Sequence, residues 1–107
     1  MDAAPRCDVE KSFHWSLASL SRAYALVGDG GNALAHASKS FEYSEGLHPF
    51  YIAYAHEALA RAAKILNNGA AFDKHLAAAQ ALLPAIEEDE DRRALQKELS
   101  DLSASPK

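Results

Sequence analysis

The segments Leu20-Ser21-Arg22-Ala23 and Leu59-Ala60-Arg61-Ala62 lie 39 positions apart. At the same offset His36 falls on His75, Trp15 on Tyr54, Ser40 on Ala79 and Val27 on Leu66. An internal repeat of this length constrains a chain more than its composition does. It calls for like units stacked side by side, each burying a face that it cannot bury alone.

The units are helical. From about Glu10 the apolar residues Phe13, Leu17, Leu20, Tyr24 and Val27 recur at four, three, four and three residues, a spacing that marks one face of a helix. This predicts a core face of Leu17, Leu20, Tyr24 and Val27. Gly28-Asp29-Gly30-Gly31 ends that helix, and Asn32 can cap the next, whose inner face reads Ala33, Leu34, Ala37, Ser40 and Phe41. The turn at Gly46 to Pro49 opens a third helix, expected to be the longest and most buried, with Ile52, Ala55, Leu59, Ala62, Ala63 and Leu66 inward. Asn67-Asn68-Gly69 closes it. A fourth helix carries Phe72, Leu76, Ala79 and Leu83 to Pro84, and a fifth follows the acidic run Glu87 to Asp91 with Leu95, Leu99 and Leu102 on one face.

The expected organisation is a lead-in over 1–9, one domain over 10–102 and a polar tail over 103–107. Within the domain, repeat 1 spans about 12–45, repeat 2 about 50–84 and a capping helix about 88–102. A chain of 107 residues has room for one core. Sheet is disfavoured, since β-branched residues are few and Thr is absent.

Helix, short Gly-containing turn and helix, with these residues, resembles the tetratricopeptide repeat family. The first unit matches its pattern at Leu20, Ala23, Tyr24, Gly28, Asp29, Ala33 and Phe41, and the second at Leu59, Ala62, Phe72, Leu76, Ala79 and Pro84. The family unit is 34 residues, so the added length is placed around Glu42 to His48. Leu17 stands where the family commonly has an aromatic, and Asn67-Asn68 replaces the second Gly-Asp. Residues 50–62 are also similar to a segment of small uncharacterised bacterial repeat proteins, a similarity that brings no activity with it. The resemblance implies an all-α superhelix of two antiparallel helix pairs closed by the fifth helix. It also implies a protein-interaction module that takes a peptide or protein segment in a concave groove lined by the first helix of each unit.

On that reading the groove face carries Trp15 and Arg22 from the first helix and Tyr54, Glu57, Arg61 and Lys64 from the third. Arginines flanked by aromatics suit an acidic side chain or a C-terminal carboxylate, which guanidinium binds through paired hydrogen bonds. The competing reading leaves Arg22 and Arg61 solvated or paired with Glu57, and Trp15 against the lead-in. A second class is a self-associating homodimer, since two units and a cap leave apolar surface uncovered. A small-molecule or metal sensor built on the five histidines trails both.

No metal site is expected, because His36 and His75 sit a repeat apart and Gly46 breaks the alignment of Glu45 with His48. No cofactor and no catalytic set is expected either. Cys7 is the single cysteine, which excludes an intramolecular disulfide. A net charge of −4 offers nucleic acid no electrostatic footprint. No apolar run approaches the roughly 18 residues of a membrane span, so a cytoplasmic protein is the expectation.

Overall fold

The computed structural model describes residues 6–104, with side chains from Ser12 onward. The chain forms α1 (Arg6–Leu26), α2 (Gly30–Ser44), α3 (Pro49–Ile65), α4 (Gly69–Leu82), a 3-10 turn over Leu83–Ala85, and α5 (Asp89–Ala104). Helix α1 therefore starts within the expected lead-in, and residues 1–5 and 105–107 lie outside the described residues. At 21 residues α1 is also longer than α3, which has 17. Helix α3 is the most buried of the five and packs against each of the other four. Among the described residues no helix is long and apolar enough to cross a membrane.

The repeat is carried into the backbone. Gly28 takes a φ of +80° and Asn67, its counterpart 39 positions on, a φ of +60°. Gly28 N donates to Ala25 O and Asp29 N to Tyr24 O, while Asn67 N donates to Lys64 O and Asn68 N to Ala63 O. The two helices thus end in the same Schellman motif, for which glycine and asparagine are the residues that tolerate a left-handed conformation. Asp29 then caps α2 through Asn32 N, and Asn68 caps α4 through Ala71 N, both at 3.1 Å. Two equivalent helix pairs, α1 with α2 and α3 with α4, follow from these turns. Helix α5 follows about one further offset along the chain and packs on α3, α4 and the 3-10 turn.

The pairs are held differently. Where α1 meets α2 the contact is made by small and polar residues, with His14, Ser21, Ala25, Ala33, Ala37 and Ser40 buried. Ser21 Oγ donates to Ala33 O at 2.8 Å and Ser40 Oγ to His14 O at 3.2 Å, so each hydroxyl satisfies itself on the opposing backbone. His14 donates from Nε2 to Tyr51 O at 2.8 Å. In the second pair Ala53, Ala79, Ile86, Leu95 and Leu99 form a cluster joined by Phe50, Tyr54, Leu76, Leu82 and Leu83. Most of the large apolar burial is therefore at the α3–α4–α5 end.

The expected core face of α1 is corrected by this packing. Phe13, Leu20 and Val27 are exposed, with Leu17 and Tyr24 half-buried. The buried line of His14, Ser21 and Ala25 is turned from them by about 100°, one residue's step around a helix. Leu34 and Phe41 of α2 and Leu66 beyond α3 are likewise exposed, whereas Ala33, Ala37, Ser40, Ala55, Leu59, Ala62 and Ala63 are buried as expected. Leu95, Leu99 and Leu102 bury the inner face of α5, and the acidic first turn Asp89, Glu90 and Asp91 suits the positive end of that helix.

Candidate functional site

The residues expected on one face do come together. Trp15 and Arg22 on α1 are seven residues, two turns, apart, and Tyr54, Glu57, Arg61 and Lys64 follow one stripe of α3. A small hollow of about 100 Å³ is lined by Trp15, Arg22, Tyr54, Glu57 and Arg61, with Ala18, Ser19 and Ala58 between them. A larger one of about 260 Å³ adjoins it and shares Arg22 and Arg61. Its other lining residues include Lys64 and three from α5, namely Glu98, Asp101 and Leu102.

An aromatic wall closes one end. The Trp15 ring lies edge-on to Tyr54, Tyr51 and Phe50, with centroids 5.3, 5.7 and 5.8 Å away. Phe50 and Tyr54 meet each other at 5.0 Å. Trp15 is thus seated on α3, while the alternative of Trp15 against the lead-in falls on side chains outside the described residues. Edge-to-face contacts of this kind hold rings in fixed orientation, so the indole forms a preset surface.

The centre of the site is ionic. Glu57 is buried and accepts from Arg61 Nε at 3.0 Å and from Arg61 Nη2. Arg61 Nη2 also reaches Glu98 at 3.3 Å, and Arg22 meets both oxygens of the same carboxylate, Nη1 to Oε2 and Nη2 to Oε1, each at 3.3 Å. Charges alternate along Glu57, Arg61, Glu98 and Arg22. Burial raises the Glu57 carboxyl above its ordinary range, and the Arg61 charge beside it offsets only part of that rise. Burial likewise raises the Tyr54 phenol, with Glu98 and Glu57 adding to the effect. At the far end Lys64 Nζ donates to Leu102 O and lies 5.7 Å from the Phe72 ring centroid.

Glu98 is the residue that the sequence reading missed. It lies on the helix assigned only to capping, and its one sequence signal is a place on α5 between the buried Leu95 and Leu102. With Glu98 in place, the repeated arginines face a carboxylate of their own chain. A ligand carboxylate would have to share or replace it.

The histidines separate into unlike roles. His36 bonds through Nδ1 to Asn32 O at 2.8 Å and stacks on Tyr24, and His48 accepts from Phe50 N as the cap of α3. His56 and His75 meet at 3.0 Å between Nδ1 atoms, with rings stacked at 5.2 Å. One of the two Nδ1 atoms must carry the shared proton. Burial lowers the pKa of both. Among the described residues no three of His, Cys, Asp or Glu gather as a metal set. Comparison with protein-family models, curated proteins and solved structures finds no match to this chain.

Proposed function

We propose that this chain is a small tetratricopeptide-like interaction module that holds a peptide or protein segment in the hollow between α1, α3 and α5. It performs no bond chemistry and works in the cytoplasm. The observation that carries the reading is the continuity of the aromatic wall at Trp15 and Tyr54 with the repeated pair Arg22 and Arg61. Rings supply an apolar seat, guanidinium supplies direction, and the two lie side by side on helices.

The ligand chemistry follows from what Arg22 already holds. Its bonds to Glu98 are long, and its side chain is 49% exposed. An acidic side chain or a C-terminal carboxylate can therefore compete for it at small cost, while an apolar neighbour on the same peptide packs on Trp15. Glu98 acts as a stand-in that keeps the guanidinium neutralised between partners.

Trp15 is the only tryptophan, so its emission reports this site alone. Peptides ending in an apolar residue and a free carboxylate are expected to shift that emission saturably, and Arg22→Gln to weaken the effect without loss of helix content. A library of such peptides that leaves Trp15 emission unmoved would remove the proposal.

A further inference from the structure

His56 on α3 and His75 on α4 face each other across the second helix pair, Nδ1 to Nδ1 at 3.0 Å, with their rings stacked at 5.2 Å. Two imidazole nitrogens hold this distance only around a shared group, because bare lone pairs repel. Here that group is a proton, donated by one ring and accepted by the other. A metal ion is the other group that two such nitrogens can share.

The spacing suits an ion. Divalent zinc, nickel and copper bind imidazole nitrogen at about 2.0 to 2.1 Å, which sets two nitrogens on neighbouring coordination positions roughly 2.8 to 3.4 Å apart, from a right angle to a tetrahedral one. The pair already lies within that range. Only the rings have to turn, by roughly 40° each, so that the lone pairs aim at one point and not at each other, and the χ2 torsion of histidine is broad.

The surroundings leave both nitrogens available. Burial lowers the pKa of His56 and His75, so both rings are neutral at neutral pH, and a shift of each proton to Nε2 frees both Nδ1 atoms. The Phe41 ring lies 4.9 Å from His56 and braces it from α2. Both histidines are half-buried, so water can reach the remaining coordination positions. Lys74 is the neighbouring cation, but it is exposed, and water screens its charge.

The first unit supplies an internal contrast. Its residues at the same two positions are Leu17 and His36, and His36 directs Nδ1 to Asn32 O of its own helix at 2.8 Å. In the second unit a histidine replaces the leucine, and His75 directs Nδ1 across to it. The geometry points to a site for one divalent transition-metal ion, bound between the Nδ1 atoms of His56 and His75 with water completing its coordination. Two protein ligands make an open, exchangeable site and not a closed structural one. The ion clamps α3 to α4, and neither histidine lines the hollows assigned to a peptide.

Calorimetric titration of the full chain with zinc at neutral pH tests this, with the imidazole nitrogen resonances followed by NMR. Zinc is expected to bind at one ion per chain, to move the Nδ1 resonances of His56 and His75, and to raise the thermal midpoint. His56→Gln and His75→Gln are each expected to abolish the heat with the helical circular dichroism unchanged, whereas His36→Gln and Cys7→Ser keep it. No heat up to millimolar zinc overturns the inference, and so does heat that survives both histidine substitutions or disappears with Cys7→Ser. The wild-type resonances decide even if a glutamine variant fails to fold: zinc that moves other histidines and leaves these two unmoved overturns it as well.

Discussion

Arg22 and Glu98, 76 positions apart in the chain, meet through two contacts of 3.3 Å and so join the first helix to the last. The pair is open to water, with Arg22 49% and Glu98 30% exposed. Exposed ion pairs contribute less than about 1 kcal/mol. Glu98→Gln is therefore expected to move the urea unfolding free energy by less than about 1 kcal/mol, while strengthening the binding of carboxylate peptides by removing their competitor. A loss of stability well beyond that, with no change in peptide binding, would make Glu98 a structural tie only.

The neighbouring pair behaves differently because it is buried. Glu57 is 6% and Arg61 19% exposed. Arg61→Met leaves a buried carboxylate without its closest cation, which costs about 3 to 5 kcal/mol. The raised Glu57 carboxyl supplies the sign: its folded pKa lies above the unfolded one, so the penalty is full above the folded value and vanishes as pH falls toward the unfolded value. The difference from wild type should therefore be largest near neutral pH and shrink on acidification. Adding Glu57→Gln should recover most of the loss at neutral pH, and a loss independent of pH would contradict this account.

Leu20 and Leu59 occupy the same position in the repeat and should respond unequally to truncation. Leu59 is buried with Ala37 and Ala58, so Leu59→Ala is expected to cost about 2 to 4 kcal/mol. Leu20 is exposed, and Leu20→Ala is expected to cost less than about 0.5 kcal/mol. Urea midpoints of the two variants decide it, and equal losses would mean that the two helices share one packing register.

Acid should weaken the fold through three histidines. Burial lowers the pKa of His14, His56 and His75, the bond to Tyr51 working the other way at His14 and the mutual charge of the pair adding to the shift at His56. The unfolded chain then binds more protons than the folded one below the ordinary value of 6.5. Stability is accordingly complete above about pH 6.5 and declines as pH falls from there toward the lowered values. A His56→Gln/His75→Gln variant should flatten that slope in urea titrations between pH 7.5 and 5.5. An unchanged slope would place the acid sensitivity elsewhere.

Local rules in the sequence determined the helices, their order and the turns. Gly28 and Asn67, with Asp29 and Asn68 after them, satisfy the same orphan backbone groups by the same bonds, and such chemistry is legible one turn at a time. The stripe that gathers Trp15, Arg22, Tyr54, Glu57, Arg61 and Lys64 was legible too, because a repeated position on a repeated helix keeps its direction. Tertiary structure alone decided which apolar line is covered. Phe13, Leu17 and Leu20 have the periodicity of a core, but a line is buried only if a neighbouring helix lies on it, and α2 covers Leu59 on α3 while Phe13 and Leu20 on α1 stay exposed. Small residues and hydroxyls made the close approach of α1 and α2 instead, an approach that hydrophobic periodicity does not register. The position of Glu98 between the two arginines was also decided there, since it depends on where α5 docks through Leu95 and Leu99 and not on any spacing within α1 or α3.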